Sequence, residues 1–256
     1  FVIGISAWHL RKKSTDSLVW LRSLKMGTIY GAVGILFVIL IGHNQAQYMI
    51  KVQPMKMAAA EARWESENPA AMSLFTICDE KHCKDIFSIK IPRLLSLLAH
   101  NRFSGEVKGI NQLQEEFQAA HGPGDYIPPV ALSYWTFRLM IGAGMLMLLL
   151  IFLLLIGLFR AKVDYKAHFL RLLTVAIALP YIANSAGWIF TEIARQPWIV
   201  YGIMRTEDGI SPNVGGGAVL LSLILFTLVY GALLLADVYL LRKYAMAGTD
   251  NLNDHE

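Results

Sequence analysis

Arg138 and Met140 stand at the start of a long apolar stretch, in the segment Tyr134-Trp-Thr-Phe-Arg138-Leu-Met140. A methionine thioether can be an axial ligand to heme iron, and it raises the reduction potential toward values that suit electron transfer. A nearby cation would stabilise a heme propionate or the reduced iron. Taken alone, an arginine at this position extends to the membrane interface and a methionine fills the core. Only the combination indicates a heme site.

A second group of polar and aromatic residues closes the next apolar stretch. Glu192 and Arg195 lie three residues apart, so they can form an ion pair on one helix face. Pro197 ends that helix. Trp188 and Trp198 have positions typical of the aromatic belts at membrane interfaces. The simplest interpretation of this group is structural.

Cys78 and Cys83 are the two cysteines of the chain, in Cys78-Asp-Glu-Lys-His-Cys83. In an oxidising compartment they would form a disulfide that closes a small loop. A metal site with His82 is an alternative, although it supplies only three ligands. His9 and His43 have no partner at a useful spacing and are interpreted as structural. Asp237 is expected to pair with a neighbouring basic residue.

Composition argues against a single soluble domain. The chain has 256 residues, of which 55% are apolar and 16% charged, whereas soluble domains carry about 25% charge. The basic residues that give the net charge of +4 are concentrated in short loops. The sequence has no basic stripe with interleaved aromatic residues, the pattern that would indicate a nucleic-acid partner. Walker loops, zinc-protease motifs and hydrolase triad signatures are also missing from the sequence.

Four stretches without a charged residue are each long enough to cross a bilayer, at 26–50, 139–159, 172–191 and 209–236. They must be helices, because hydrocarbon cannot satisfy backbone polar groups. The predicted fold is therefore an all-α membrane protein with four full transmembrane helices and a half-span at the N-terminus. The predicted spans are 1–10 (the C-terminal part of a truncated span), 26–43, 134–159, 167–193 and 215–241.

Basic residues in short loops predict the topology. The loop 11–25, the loop that begins at Arg160 and the tail 242–256 are rich in lysine and arginine, so they are expected in the cytoplasm. The long loop 44–130 and the loop 194–214 then lie outside. Within the long loop, the sequence predicts an amphipathic helix at 52–67 and shorter helices at 91–99 and 110–120.

Three motifs resemble one known family. They are Gln53–Glu65, Phe137–Met140, and Ala186–Trp188 followed by Ala194-Arg195-Gln-Pro-Trp198. In order and spacing they are similar, along the whole chain, to the C-terminal half of subunit I of cytochrome bd-type quinol oxidases. The third motif resembles the family's Gly-Arg-Gln-Pro-Trp signature, with Ala194 in place of the first glycine.

The resemblance implies a role for each matching residue. Lys56 and Glu61 match the quinol-loop pair, with Glu61 a proton acceptor for quinol. Met140 matches an axial ligand of a low-spin heme b, and Arg138 the basic residue beside that heme. Trp188 and Arg195 fall in the cofactor-binding motifs.

The sequence also departs from the family pattern. The family places a glutamate that ligates the high-spin heme b just before Ala-Gly-Trp, where this chain has Ser185. The histidine that completes the low-spin site and the ligand of heme d belong to the other half of the subunit. The resemblance therefore implies that the chain is either a fragment of subunit I or a naturally split subunit. The implied partners are an N-terminal half of subunit I and a subunit II-like membrane protein.

Three functions follow from these observations. The first is half of a quinol:oxygen oxidoreductase in a bacterial or archaeal plasma membrane, oxidising quinol at the outer face. The second is an electron-transfer module that lacks oxygen reduction, which Ser185 favours. The third is a structural membrane subunit with decayed sites.

Overall fold

The computed structural model describes residues 1–12, 17–79, 84–160 and 166–247 and is mostly helical. Its helices are α1 (Val2–Arg11), α2 (Ser17–Val52), α3 (Pro54–Ala60), α4 (Leu94–His100), α5 (Ile110–His121), α6 (Val130–Phe159), α7 (Ala167–Val175), α8 (Ala178–Ile193) and α9 (Gly216–Ala247). Two antiparallel hairpins join β1 (Met72–Asp79) to β2 (Lys84–Ile91) and β3 (Trp198–Val200) to β4 (Met204–Arg205).

Four helical stretches are long and apolar enough to cross a membrane, as the sequence predicted: Ser17–Val52, Val130–Phe159, Ala167–Ile193 and Gly216–Ala247. Their large apolar side chains are mostly exposed. None of the residues of α9, all of which the structure describes, is buried. Helices that are apolar all round and expose those side chains need an apolar medium or a partner.

The chain divides into two compact units, of which the first comprises Phe1–Gly27, Lys162–Ala176 and Ile210–Glu256. In this unit α1 packs on α7. The His9 ring stacks on Trp20 with centroids 3.8 Å apart, and its Nε2 lies 2.9 Å from the Ala245 carbonyl oxygen. These contacts support a structural role for His9. Asp237 was expected to pair with a neighbouring basic residue, but it forms no ion pair within the described residues.

The second unit comprises Thr28–Ala161 and Ile177–Gly209. Here α6 packs along α8, and α3 packs against α6 and α5. Almost every side chain of α3 is buried because it contributes to two apolar clusters. Met57 and Ala60 join Phe137 and Phe190 in one cluster. The other cluster contains Met55, Ala58, Trp64, Ile110, Leu113 and Tyr134.

The helix predicted at 52–67 is wrong in extent, since α3 ends at Ala60. Ala62 takes a left-handed φ of 47°. The Arg63 amide then donates to the Ala58 carbonyl, and the Ala62 amide donates to the Ala59 carbonyl. This is the Schellman end of a helix, which usually has glycine at the left-handed position. Because alanine occupies this position, the sequence contains no glycine that would have predicted the end of α3.

The β1–β2 hairpin was not predicted, although the two following helices were. α4 and α5 lie within three residues of the predicted 91–99 and 110–120. Register shifts between Ser73 and Phe75 and between Ile77 and Cys78 interrupt the alternation that marks a strand. The proposed Cys78–Cys83 disulfide and the metal site with His82 involve residues 82 and 83, which lie outside the described residues.

Gly109 allows the segment after α3 to pack against the start of α5. A Cβ at this position would lie 2.4 Å from the Glu65 carbonyl carbon and 2.5 Å from the Trp64 carbonyl oxygen. These are backbone atoms that cannot rotate away. Beside them, the Ile110 amide donates to the Arg63 carbonyl at 2.8 Å.

We therefore expect Gly109→Ala to destabilise this region by about 1–3 kcal/mol, the usual range for overpacking. Amide hydrogen exchange of residues 58–67 would measure the change. Gly142→Ala is the control, because a Cβ at Gly142 meets nothing within 4 Å. Equal exchange in both variants would contradict the close approach.

A candidate redox and proton-transfer site

Glu61 and Arg138 form a buried ion pair that joins α3 to the first turns of α6. Arg138 Nη2 donates to Glu61 Oε2 at 2.7 Å, and Nη1 donates to Oε1 at 3.2 Å. The Glu61 side chain is only 2% exposed. The bidentate geometry fixes the carboxylate in one orientation, since both oxygens have a donor.

The β1–β2 hairpin completes the surroundings of this pair. Arg138 Nη2 also donates to the Ser73 carbonyl at 2.6 Å, and the guanidinium lies over the Tyr134 ring at 4.7 Å. The Tyr134 hydroxyl is 2.9 Å from Ser73 Oγ, which is 2.5 Å from Thr76 Oγ1. Polar side chains that share hydrogen bonds in this way hold each other in place.

Burial raises the pKa of Glu61 above the ordinary carboxyl value, while the Arg138 charge and hydrogen bonds oppose the rise. A carboxyl group with a raised pKa is a stronger proton acceptor than an ordinary carboxylate. The arrangement is therefore that of a buried carboxyl group with a fixed counter-charge.

Lys56 lies on α3 but contacts a different set of residues. Its Nζ is 3.4 Å from the Thr191 carbonyl oxygen and 5.4 Å from the centre of the Phe190 ring. Burial lowers the pKa of Lys56, and the charge of Arg195 lowers it further, against the opposing effect of Glu192. The structure thus brings Lys56 to the end of α8 and Glu61 to α6.

Arg195 and Glu192 form the predicted ion pair, with Nη2 and Oε2 2.6 Å apart. Trp198, predicted as a belt residue, is instead buried at 4% exposure. It packs on His121 and Tyr126 with ring centroids 5.1 and 5.7 Å away. The conformation of the β3–β4 hairpin turns this indole inward, so that the Arg-Gln-Pro-Trp motif forms part of the fold.

Met140 points toward the neighbouring helix α8. A Cβ on Gly187 would lie 2.8 Å from Met140 Sδ, so glycine at this position leaves room for the sulfur. Arg138 and Met140 are two residues apart and therefore lie on different faces of α6. The sequence suggested that these two side chains form one site. In the structure Arg138 faces α3 and the β1–β2 hairpin, and Met140 faces α8.

The residues present fit part of the cofactor set that the sequence suggested. A thioether in a space kept open by glycine is a suitable soft ligand for heme iron. Arg138 Nε is buried and has no hydrogen-bond partner among the described residues, so it can donate to an acidic group such as a propionate. Both observations are compatible with a low-spin heme beside α6.

Ser185 and Trp188 do not contribute in the same way. Both side chains are exposed on α8, and Trp188 is 66% exposed. A serine hydroxyl is a poor iron ligand, and no carboxylate stands at this position. Position 185 of this chain therefore offers no carboxylate to an iron.

A polar groove near the end of α2 was not expected from the sequence. It has a volume of about 640 Å³ and is lined by Gln47, Lys51, Asn68, Ala99, His100, Asn101, Arg102, Ser104 and Gly105. At its edge, His43 Nε2 lies 3.0 Å from Asn101 Oδ1 and 3.1 Å from Gln47 Nε2. Only the clustering of amide and basic residues in the sequence could have indicated it.

The fold and these contacts together define a class: a multi-pass helical membrane protein with a folded extramembrane segment that holds a carboxylate against the first turns of a span. The family described as cytochrome bd terminal oxidase subunit I matches residues 1–249. The chain belongs to this family.

Individual relatives support the assignment. The chain is 44% identical over 263 residues to cytochrome bd ubiquinol oxidase subunit 1 of Bacillus subtilis (strain 168), an alignment that covers 100% of this chain and 55% of the relative. It is 28% identical over 313 residues to cytochrome bd-II ubiquinol oxidase subunit 1 of Escherichia coli (strain K12), covering 100% of this chain and 60% of the relative. It therefore spans little more than half the length of these relatives.

A solved structure agrees with the fold. The structure of bd oxidase from Geobacillus thermodenitrificans superposes with a TM-score of 0.79 at 29% sequence identity. The match covers 94% of this chain and 53% of that one.

Proposed function

We propose that this chain is the part of a bd-type quinol:oxygen oxidoreductase at which membrane quinol is oxidised. Quinol oxidation to quinone releases two protons and two electrons. The protons need an acceptor near the membrane surface whose pKa lies near the working pH. The buried Glu61–Arg138 pair is the observation that carries this proposal, because it combines a raised carboxyl pKa with a fixed geometry.

The other residues have supporting roles in this proposal. Met140 would be an axial ligand of a low-spin heme b, and Arg138 Nε would donate to an acidic group of that heme. When bound, a heme provides an iron that accepts one electron at a time. Lys56 would hold a quinol oxygen or a second counter-charge. The polar groove beside His43 offers hydrogen-bond donors to an entering head group.

The placement in the membrane is part of the same proposal. Residues 44–130 would lie at the outer face of a bacterial or archaeal plasma membrane, with the tail 242–256 in the cytoplasm. The N-terminal half of subunit I and a subunit II-like protein would complete the assembly. In this proposal they would also supply ligands for any further heme of the assembly, a high-spin heme b or heme d.

Replacing Glu61 with glutamine tests the proposed proton acceptor in the purified complex. The amide keeps the shape of the side chain but cannot take the proton, so we expect the turnover with quinol to fall about 100-fold, within the usual range for general-base catalysis. The heme content should stay unchanged, as a check that the complex still assembles.

Glu65→Gln is the matched control. Glu65 is an exposed residue four positions on, whose carboxylate accepts a hydrogen bond from Asn111 at 2.7 Å. It should retain full turnover. Undiminished turnover in Glu61→Gln would exclude this carboxyl as the proton acceptor.

A second function is favoured by Ser185. A complex without the carboxylate ligand at this position could transfer electrons from quinol to another protein and not reduce oxygen. Oxygen uptake with quinol as the donor separates the two functions. Rapid uptake by the purified complex supports the oxidase, and reduced heme without uptake supports the transfer module.

A further inference from the structure

The β1–β2 hairpin has one polar face and one apolar face. Phe75 pairs with Ile89 and Ile77 with Phe87, so these side chains share a face. We name it the apolar hairpin face, formed by Phe75, Ile77, Phe87, Ile89 and Ile91. The opposite face carries Ser73, Thr76, Ser88 and Lys90.

On β1 the two faces are buried in the reverse of the usual order. An antiparallel sheet with one solvated side normally packs its apolar side on the core and exposes its polar side. Here Ser73 and Thr76 are buried at 2% and 1% exposure, next to Tyr134. Phe87 and Ile89 are 52% and 50% exposed. An exposed apolar patch on a folded protein indicates contact with a membrane or another molecule.

The position of the hairpin along α6 favours a membrane over another molecule as the partner of this face. The charge-free part of α6, 139–159, would span about 30 Å and fill the hydrocarbon core. Trp135 precedes Leu139 by four residues, or roughly 6 Å along the helix. The Phe75 ring lies 5.1 Å from the Trp135 ring. With 139–159 in the core, Phe75 would lie at the level of the interfacial layer, which is about 5–8 Å thick on each side of the core.

The apolar hairpin face is also continuous with the exposed side of the span. Leu132, Trp135, Leu139 and Leu146 are spaced three, four and seven residues apart, so they form one stripe on α6. All four are exposed. Contact between Phe75 and Trp135 joins this stripe to the hairpin. The exposed apolar surface of α6 thus extends onto the hairpin.

We propose that the apolar hairpin face inserts into the interfacial layer of the bilayer, with lipid as its occupant. Phe75 and Phe87 lie between head groups and acyl chains, where aromatic side chains are favoured. The polar face of the same hairpin then stays closed over Arg138 and Glu61. The hairpin acts as a membrane-supported cover of the ion pair.

Spin-label accessibility in lipid nanodiscs tests the proposal with the full chain in its purified complex. Single cysteines replace Phe87 and Ile89 in a background with Cys78→Ser and Cys83→Ser. Phe152→Cys, in the middle of the α6 span, is the lipid reference, and Glu115→Cys, on exposed α5, is the water reference. Collision rates with oxygen report an apolar medium, and those with a neutral nickel chelate report water.

We expect the ratio of oxygen to nickel collision rates at positions 87 and 89 to be close to that at 152 and several times that at 115. A ratio close to that at 115 would place the face in water and overturn the proposal. Low collision rates with both reagents would show that another protein chain covers the face, which would also overturn it.

Discussion

Replacing Arg138 with Met is expected to destabilise the region around α3 by about 3–5 kcal/mol, the usual cost of leaving one member of a buried ion pair without its partner. Methionine keeps much of the length of the side chain and the preference for helix. It removes the counter-charge from Glu61, whose side chain is 2% exposed. The free energy of opening, measured by native-state amide exchange of residues 55–63, would show the loss.

The pH dependence of this variant follows from the direction of the Glu61 pKa. Burial raises it, and Arg138 opposes the rise. Without Arg138, the folded pKa lies still further above the unfolded value of about 4.3. A raised folded pKa gives stability that is complete below the unfolded pKa and is lost as pH rises through the folded one. The variant should therefore lose stability as the pH rises above the ordinary carboxyl range.

The double variant Arg138→Met/Glu61→Gln is the control for this interpretation. Removing both charges avoids a lone buried carboxylate, so most of the lost stability should return and the added pH dependence should disappear. If Arg138→Met loses less than about 1 kcal/mol of stability at every pH, the value expected for an exposed ion pair, the two residues are not a tightly coupled pair.

The membrane helices could be predicted from the sequence because one physical rule decides them. A charge-free stretch of about 20 residues fits a bilayer whatever the rest of the chain does. Helix α2 nevertheless begins at Ser17 and ends at Val52, beyond the charge-free residues 26–50. Charged residues at its ends extend into water, so hydropathy marks the membrane core and not the ends of the helix.

The Glu61–Arg138 contact could not be derived from local patterns. The two residues are 77 positions apart, and their contact needs the stop of α3 at Ala60 and the packing of the hairpin on α6. Resemblance to a family identified both residues, but assigned one to quinol and the other to heme. Their pairing would link the two proposed roles, since a proton taken by Glu61 would change the charge beside Arg138.

The expectation that Arg138 and Met140 form one site was also incomplete. Both residues matched one motif, and the sequence suggested one site. On a helix, a separation of two residues places side chains on different faces. Met140 consequently faces Gly187 on α8. A side chain at position 187 would collide with the Met140 sulfur, which explains the glycine of Ala-Gly-Trp in a way that the sequence alone did not.

Met140→Leu is expected to remove the low-spin heme signal, because leucine fills a similar volume but has no sulfur to bind iron. Reduced-minus-oxidised spectra and electron paramagnetic resonance of the purified complex would measure this change, with heme content determined separately. Met145→Leu is the matched control, since Met145 lies on the same helix with its side chain exposed. A wild-type spectrum in Met140→Leu would exclude this sulfur as a ligand.

Gly187→Ala tests the same sulfur without removing it. The added Cβ would lie 2.8 Å from Met140 Sδ, so the sulfur or the helix must move by several tenths of an ångström. If Sδ binds iron, the longer or tilted bond should shift the low-spin band and lower the reduction potential, because a weaker thioether bond stabilises the reduced iron less. Gly144→Ala, where a Cβ meets nothing within 4 Å, should leave both unchanged. A shift in Gly187→Ala that persists in the Met140→Leu background would show that packing alone causes it.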